Sequence, residues 1–193
     1  MSVLEVFQMP KPVKITGRSS TITNSFVTAI IPCIKPSEND VKQALKILDL
    51  DASNLCCAYC GDKSSEWDHL RPLVRGKQPT GYISEIGNLV PTCGKCNQSK
   101  GGQDWRSWMM GRAKQSPKSR KIQGLDKRIS RLEDYEKWRN VHHIDFEKIV
   151  PKDIWSRYQE SKERLHALMK ESQKLAIEIS ESIKAHMGSK KAL

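Results

Sequence analysis

Residues Cys57 to Trp105 read CAYCGDKSSEWDHLRPLVRGKQPTGYISEIGNLVPTCGKCNQSKGGQDW, and this run decides how the chain folds. It opens on one Cys-x-x-Cys pair, Cys57 and Cys60, and nears its close on a second, Cys93 and Cys96, with 36 residues from Cys57 to Cys93. Two such pairs supply four thiolates at the spacing of a tetrahedral structural Zn²⁺ site, each two-residue turn bringing two sulfurs together. An iron-sulfur cluster, or four separate buried thiols, would draw on the same residues. A disulfide framework belongs with a secretory context, and the N-terminal MSVLEVFQMPKPVK lacks the long apolar stretch of a secretory signal. Cys56 adjoins the first pair, but only Cys57 stands at the two-residue spacing from Cys60; Cys56 and Cys33 are read as buried or incidental thiols.

Between the pairs, two short apolar segments flank the turn-rich Gly76-Lys-Gln-Pro79-Thr-Gly81, which predicts an irregular β-hairpin with a long loop. Asn97-Gln-Ser-Lys-Gly-Gly then begins a helix, or one interrupted by its glycines, that runs into Trp105 and Trp108. Tryptophans at that spacing after a zinc knuckle pack a core, although stacking on bases would also use them.

Outward from this run the signals weaken. Residues 13–34, rich in Val, Ile and Thr, read as one or two strands. Val41, Ala44, Leu45, Ile47 and Leu48 mark a short amphipathic helix capped by Ser37 or Asn39, followed by a loop at Asp51-Ala-Ser-Asn. On the other side, residues 106–131 hold nine Lys/Arg against one acid, Asp126. From Lys152 to about Ala185, Ile154, Tyr158, Leu165, Leu168, Leu175, Ile179 and Ile183 recur at helical spacing, the pattern of a long amphipathic helix. The organisation expected is an N-terminal strand and helix extension over 1–55, a zinc-stapled module over 56–110, and a basic, helical C-terminal region over 111–193.

A chain of 193 residues suits one medium domain or a compact core with extensions. No window approaches the roughly 18 unbroken apolar residues of a membrane span, so the expectation is a cytoplasmic protein with no membrane partner. The formal charge of +11, from 33 Lys+Arg against 22 Asp+Glu, favours a polyanionic partner, because basic side chains release counterions from phosphates.

Inside the cysteine frame stand Asp68-His69, Asn88 and Asn97. The ordered string Cys57-x2-Cys60-Gly61, Trp67-Asp68-His69-Leu70-x-Pro72-Leu73, Gly87-Asn88-Leu89-Val90-Pro91-x-Cys93-x2-Cys96-Asn97-x2-Lys100-Gly101 resembles the HNH endonucleases, the ββα-metal nucleases of restriction, phage and homing enzymes. It covers about a quarter of the chain. The resemblance implies an α+β fold: a ββα-metal (HNH) core with the four-cysteine zinc site, to which the flanks add N-terminal strands and helix and a long C-terminal helix.

It also implies roles. Asp68 and Asn97 would ligate a catalytic divalent ion, and His69 would be the general base that takes a proton from the attacking water. Asn88 would brace the long loop and hold His69 in orientation. Many relatives have His where Asn97 stands; a neutral oxygen there favours Mg²⁺ or Mn²⁺ over a softer ion. Arg71, Arg75 and Lys77 in the loop are either phosphate contacts or a solvated face, and Lys100, read as lying on an exposed helix face, divides in the same way. Lys118, Arg120 and Lys121 are read as lying along a DNA backbone, while His142 and His143 are read as surface residues.

The function so implied is metal-dependent hydrolysis of double-stranded DNA, in its sharper form by a site-specific type II restriction enzyme. A phage or homing-type nickase shares the same core, and a non-catalytic zinc DNA-binding module would keep the fold without the reaction. Cutting both strands with one site per chain points to a homodimer through the Lys152–Ala185 helix, unless that helix folds back on its own N-terminal elements.

Overall fold

Alternation along Glu66-Trp67-Asp68-His69 sets the geometry of the central module. These residues form strand β1 (Glu66–His69), with Asp68 buried and Trp67 turned outward. The connection that follows carries β2 (Val74–Arg75) and β3 (Gln78–Pro79), a small antiparallel hairpin. It turns on Gly76 and Lys77, at φ 58° and 66°, the paired positive angles of a type I′ turn. The chain returns as β4 (Leu89–Thr92), which pairs antiparallel with β1 from Glu66 opposite Thr92 to His69 opposite Leu89.

The computed structural model describes residues 10–190, so the first nine residues of the N-terminal stretch and the last three of the chain lie outside the described residues. Seven α-helices are described: α1 (Ser19–Ile30), α2 (Glu38–Leu48), α3 (Gly94–Lys100), α4 (Trp105–Met109), α5 (Leu125–Trp138), α6 (Phe146–Ile149) and α7 (Lys152–Lys190). Ser37 caps α2 in a reciprocal box with Asp40: Asp40 N donates to Ser37 Oγ at 3.2 Å and Ser37 N donates to Asp40 Oδ2 at 3.1 Å. Helix α3 begins three residues earlier than Asn97 and stops at Gly101, φ 50°. Asp104 then opens α4 by accepting from Ser107 N at 2.8 Å.

Two compact units result, Val27–Ile149 and the pair Met1–Phe26 with Val150–Leu193. In the first, α2 and α5 share one apolar core with the cysteine module: Ala44, Leu48, Tyr59, Leu70, Val90, Trp108, Leu132 and Tyr135 are all buried in it. Trp108 meets Tyr59 edge-on at 5.2 Å and satisfies its indole N–H on Ser99 Oγ at 3.0 Å. Both Trp105 and Trp108 are core residues.

In the second unit, α7 is long and amphipathic, as its spacing predicts. Residues 13–34 are a correction: instead of strands they form a 3-10 turn at Ile15–Arg18 and then α1. Within α1 the Thr23 and Ser25 hydroxyls donate back to Ser19 O and Thr21 O, at 3.0 and 2.9 Å, so both are satisfied inside the helix. Tyr158 donates to Phe26 O and Thr23 Oγ1 lies 3.1 Å from His166 Nε2, which join α1 to α7. Among the described residues no helix is long and apolar enough to cross a membrane.

Candidate functional site

Each cysteine pair sits in a turn that its own backbone closes. Gly61 N donates to Cys57 O at 2.8 Å and Cys57 N to Asp62 O at 2.7 Å, with Gly61 at φ 82°. Asn97 N donates to Cys93 O at 3.0 Å, so Cys93 and Cys96 flank the first turn of α3. All four sulfurs are buried and lie within 4.8 Å of one another. Cys60 Sγ and Cys93 Sγ are 3.6 Å apart, close to the edge of about 3.8 Å of a tetrahedron with metal–sulfur bonds of about 2.3 Å.

Such crowding cannot hold four unshielded negative charges. Hydrogen bonds from Cys60 and Cys96 favour a thiolate on Cys57, and donating to it pushes Cys60 up to about 12 and Cys96 higher still. A cation at the centre would remove that competition, and the four-sulfur donor set fits a metal.

The β1 side of α3 is polar. Asp68, 6% exposed, accepts from Tyr59 Oη at 2.5 Å, and Lys100 Nζ lies 3.0 Å from its Oδ2 and 3.3 Å from its Oδ1. Lys100 also donates to His69 O at 2.8 Å. Burial pushes the Asp68 carboxyl above its ordinary value, against the pull of Lys100 and Tyr59. Burial likewise holds the Tyr59 phenol well above its usual range, so it remains a donor. Asn97 turns to Glu66, its Nδ2 donating to Oε2 at 2.5 Å. The bonds of this face therefore run from Asp68 to Lys100 and from Asn97 to Glu66.

His69 points off the other side of β1, where its Nε2 meets Ser84 Oγ at 2.8 Å. Burial, with Lys100 nearby, pushes the imidazole down to about 4, which leaves the ring neutral at pH 7. The loop from His69 to Asn88 is closed by Asn88 itself, fully buried. Its Oδ1 accepts from Arg71 N at 2.7 Å, and its Nδ2 donates to Arg71 O at 3.0 Å and Ile83 O at 3.2 Å. Leu70 N donates to Asn88 O at 2.8 Å, fixing the backbone directly after His69.

Residues 57–103 match the family model described as HNH endonuclease. The chain carries an HNH domain. It is also 28% identical, over 131 residues, to the CRISPR-associated endonuclease Cas9 of Corynebacterium diphtheriae, a match covering 65% of this chain. The chain spans only 11% of that relative's length. No solved structure matches it.

Around the HNH domain some basic side chains are spent on partners within the fold and others lie on the surface. Lys100 is a correction, since its side chain is 0% exposed and is spent on Asp68 instead of lying on a solvent face. So is Arg120: its guanidinium donates to Asp62 Oδ2 at 2.8 Å and to Cys96 Sγ at 3.5 Å, against the cysteine knuckles. Arg71 pairs through Nη2 with Glu136 at 3.0 Å and lies over the Tyr82 ring, so it is held by the fold and is not a solvated face. In the basic stretch Arg106 pairs with Glu133 and Arg131 with Asp49. Arg75, Lys77, Arg112, Lys114, Lys118, Lys121 and Lys127 are exposed.

His142 and His143 lie on the surface, with His142 held by Glu85 and His143 Nε2 3.0 Å from Thr80 O. Of the two thiols read as buried or incidental, Cys33 is exposed and Cys56 half-buried. Three side chains around the HNH site were passed over in the sequence. Glu66 was legible in principle, since it stands two residues before Asp68 and shares its strand face. Tyr59 and Ser84 carry no comparable signal, because only the fold brings them to Asp68 and His69.

Proposed function

We propose that the chain is a divalent-metal-dependent endonuclease that hydrolyses phosphodiester bonds in double-stranded DNA. The observation that carries the reading is His69: a neutral imidazole, one nitrogen on Ser84, at the end of the strand facing α3 within the HNH domain. A neutral ring can take a proton from water at pH 7, and with Nε2 donating to Ser84 Oγ the Nδ1 lone pair would be left to accept that proton.

Asp68 and Asn97 would hold Mg²⁺ or Mn²⁺, which supplies charge for the phosphate and the leaving 3′ oxygen. Lys100 and Tyr59 keep the Asp68 carboxylate oriented in a buried site until the cation shares it. Asn88 ties down the loop that begins at His69. Cys57, Cys60, Cys93 and Cys96 would hold a structural Zn²⁺; since Cys96 precedes Asn97 directly, that ion sets where the catalytic ligand stands. The products expected by resemblance are 5′-phosphate and 3′-hydroxyl ends.

The exposed Arg75, Lys77, Lys118 and Lys121 are the proposed phosphate contacts, while the arginines already paired within the fold are not. The sharper form is a site-specific type II restriction enzyme working as a homodimer. The exposed Leu168, Leu175 and Ile179 of α7 offer the seam. Incubation of plasmid with zinc-loaded protein and Mg²⁺, with EDTA as control, tests the reaction. Ends that share one sequence support the site-specific form, and scattered ends or nicking alone remove it.

A further inference from the structure

An asparagine can serve a cation only through its amide oxygen, and the NH2 at the other end of the amide must then be held elsewhere. Asn97 Nδ2 donates to Glu66 Oε2 at 2.5 Å. A carboxylate only accepts, so this bond fixes the amide with its NH2 toward β1 and its oxygen turned away from Glu66. Glu66 is itself fixed. It lies opposite Thr92 in the β1–β4 ladder, and alternation places it on the same face as Asp68, toward α3. Its other oxygen rests against Gly94, where an added Cβ would stand 2.9 Å from Oε1. The glycine between Cys93 and Lys95 is what leaves room for the carboxylate at the start of α3.

We propose that Glu66 is the positioning residue of the catalytic ion site: it sets the Asn97 amide so that the oxygen, and not the NH2, meets the divalent ion. The inference rests on the reading of Asn97 as a ligand. Without Glu66 the amide can rotate end for end, and bound ion must then order it. Partners that orient a ligand in this way are typically worth 10- to 100-fold in metal affinity or activity. Glutamine can donate as well as accept and would leave the Asn97 amide free to turn, so the discriminating background is Asn97→Asp, whose carboxylate presents oxygen at either end and needs no orienting.

The test uses the full chain with its cysteine site zinc-loaded and measures Mn²⁺ affinity by the loss of the free-ion EPR signal, with no DNA present. Glu66→Ala is expected to bind Mn²⁺ about tenfold more weakly than the parent, Glu66→Gln to weaken binding as well, and Glu66→Ala to cost nothing further in the Asn97→Asp background. On plasmid, the Mg²⁺ needed for half-maximal cleavage should rise for Glu66→Ala, while the rate at saturating Mg²⁺ is largely retained. Zinc content and melting temperature check that each variant folds, and Glu66→Gln carries the test if Glu66→Ala does not. Asn97→Ala keeps the two claims distinguishable. If it weakens Mn²⁺ and Glu66→Ala does not, the positioning role alone is overturned. Weakening by Glu66→Ala that persists in the Asn97→Asp background overturns it too, in favour of charge. If Asn97→Ala binds Mn²⁺ like the parent, the ligand reading falls and the inference with it.

Discussion

Helix α3 has two faces that are built on different principles. Cys96 closes a set of four sulfurs that lie within 4.8 Å of one another, and a single ion would satisfy all of them. Asn97 and Lys100, on the β1 side, belong to a chain of separate polar pairs, Asn97 with Glu66 and Lys100 with Asp68. The sulfur face offers four donors that one ion would satisfy together, whereas the polar groups of the β1 face already have partners within the fold. On the proposed function, the first face would serve stability and the second ligation, with seven residues of helix carrying both.

The largest effect should come from the sulfur face. Cys93→Ser is expected to lose stoichiometric zinc and most cooperative unfolding of the Val27–Ile149 unit, because structural metal sites supply folding free energy directly. Elemental analysis and thermal melts read this out, with about one zinc per parent chain. A variant that keeps its melting transition without zinc would break the contrast.

On the β1 face the expected loss is intermediate. Lys100→Met leaves the Asp68 carboxylate buried without its cation, a change that typically costs about 3–5 kcal/mol. Adding Asp68→Asn should recover part of that, since the remaining group is then neutral, and chemical denaturation of the single and double variants measures the difference. Zinc content should be unchanged throughout. Additive losses would mean that the two side chains do not act as a pair.

The smallest effect sharpens a second division, between arginines paired with carboxylates of the fold and exposed lysines. Lys118→Glu with Lys121→Glu should lower the log-log salt slope of DNA binding by about two units, at about 0.9 per phosphate contact. Arg106→Ala, which removes a partner of Glu133, should leave the slope unchanged. The reverse pattern would move the DNA to the arginine side.

What the sequence disclosed follows the same line between local and long-range causes. The cap of α2 narrowed to Ser37 or Asn39, and the reciprocal bonds with Asp40 select Ser37; the four cysteines were legible because a two-residue spacing makes its own turn. The glycine–lysine turn between β2 and β3 was readable for the same reason. Residues 13–34 were not, because Thr and Val support either a strand or a helix until packing chooses. Lys100 and Arg120 look like solvent residues in any local window. Their burial depends on Asp68 and Asp62, 32 and 58 residues away. Helix α5 also went unread, its three buried side chains, Ile129, Leu132 and Tyr135, being set among charged residues.

The most direct test of the central claim is supercoiled-plasmid cleavage by His69→Ala beside the parent, at equal zinc content and equal melting temperature. Loss of a general base should lower the Mg²⁺-dependent rate by about 10²- to 10⁴-fold, with DNA binding retained. Cleavage by His69→Ala at the parent's rate, with the same metal and an intact fold, would contradict the assignment of His69 as the base and the reaction built on it.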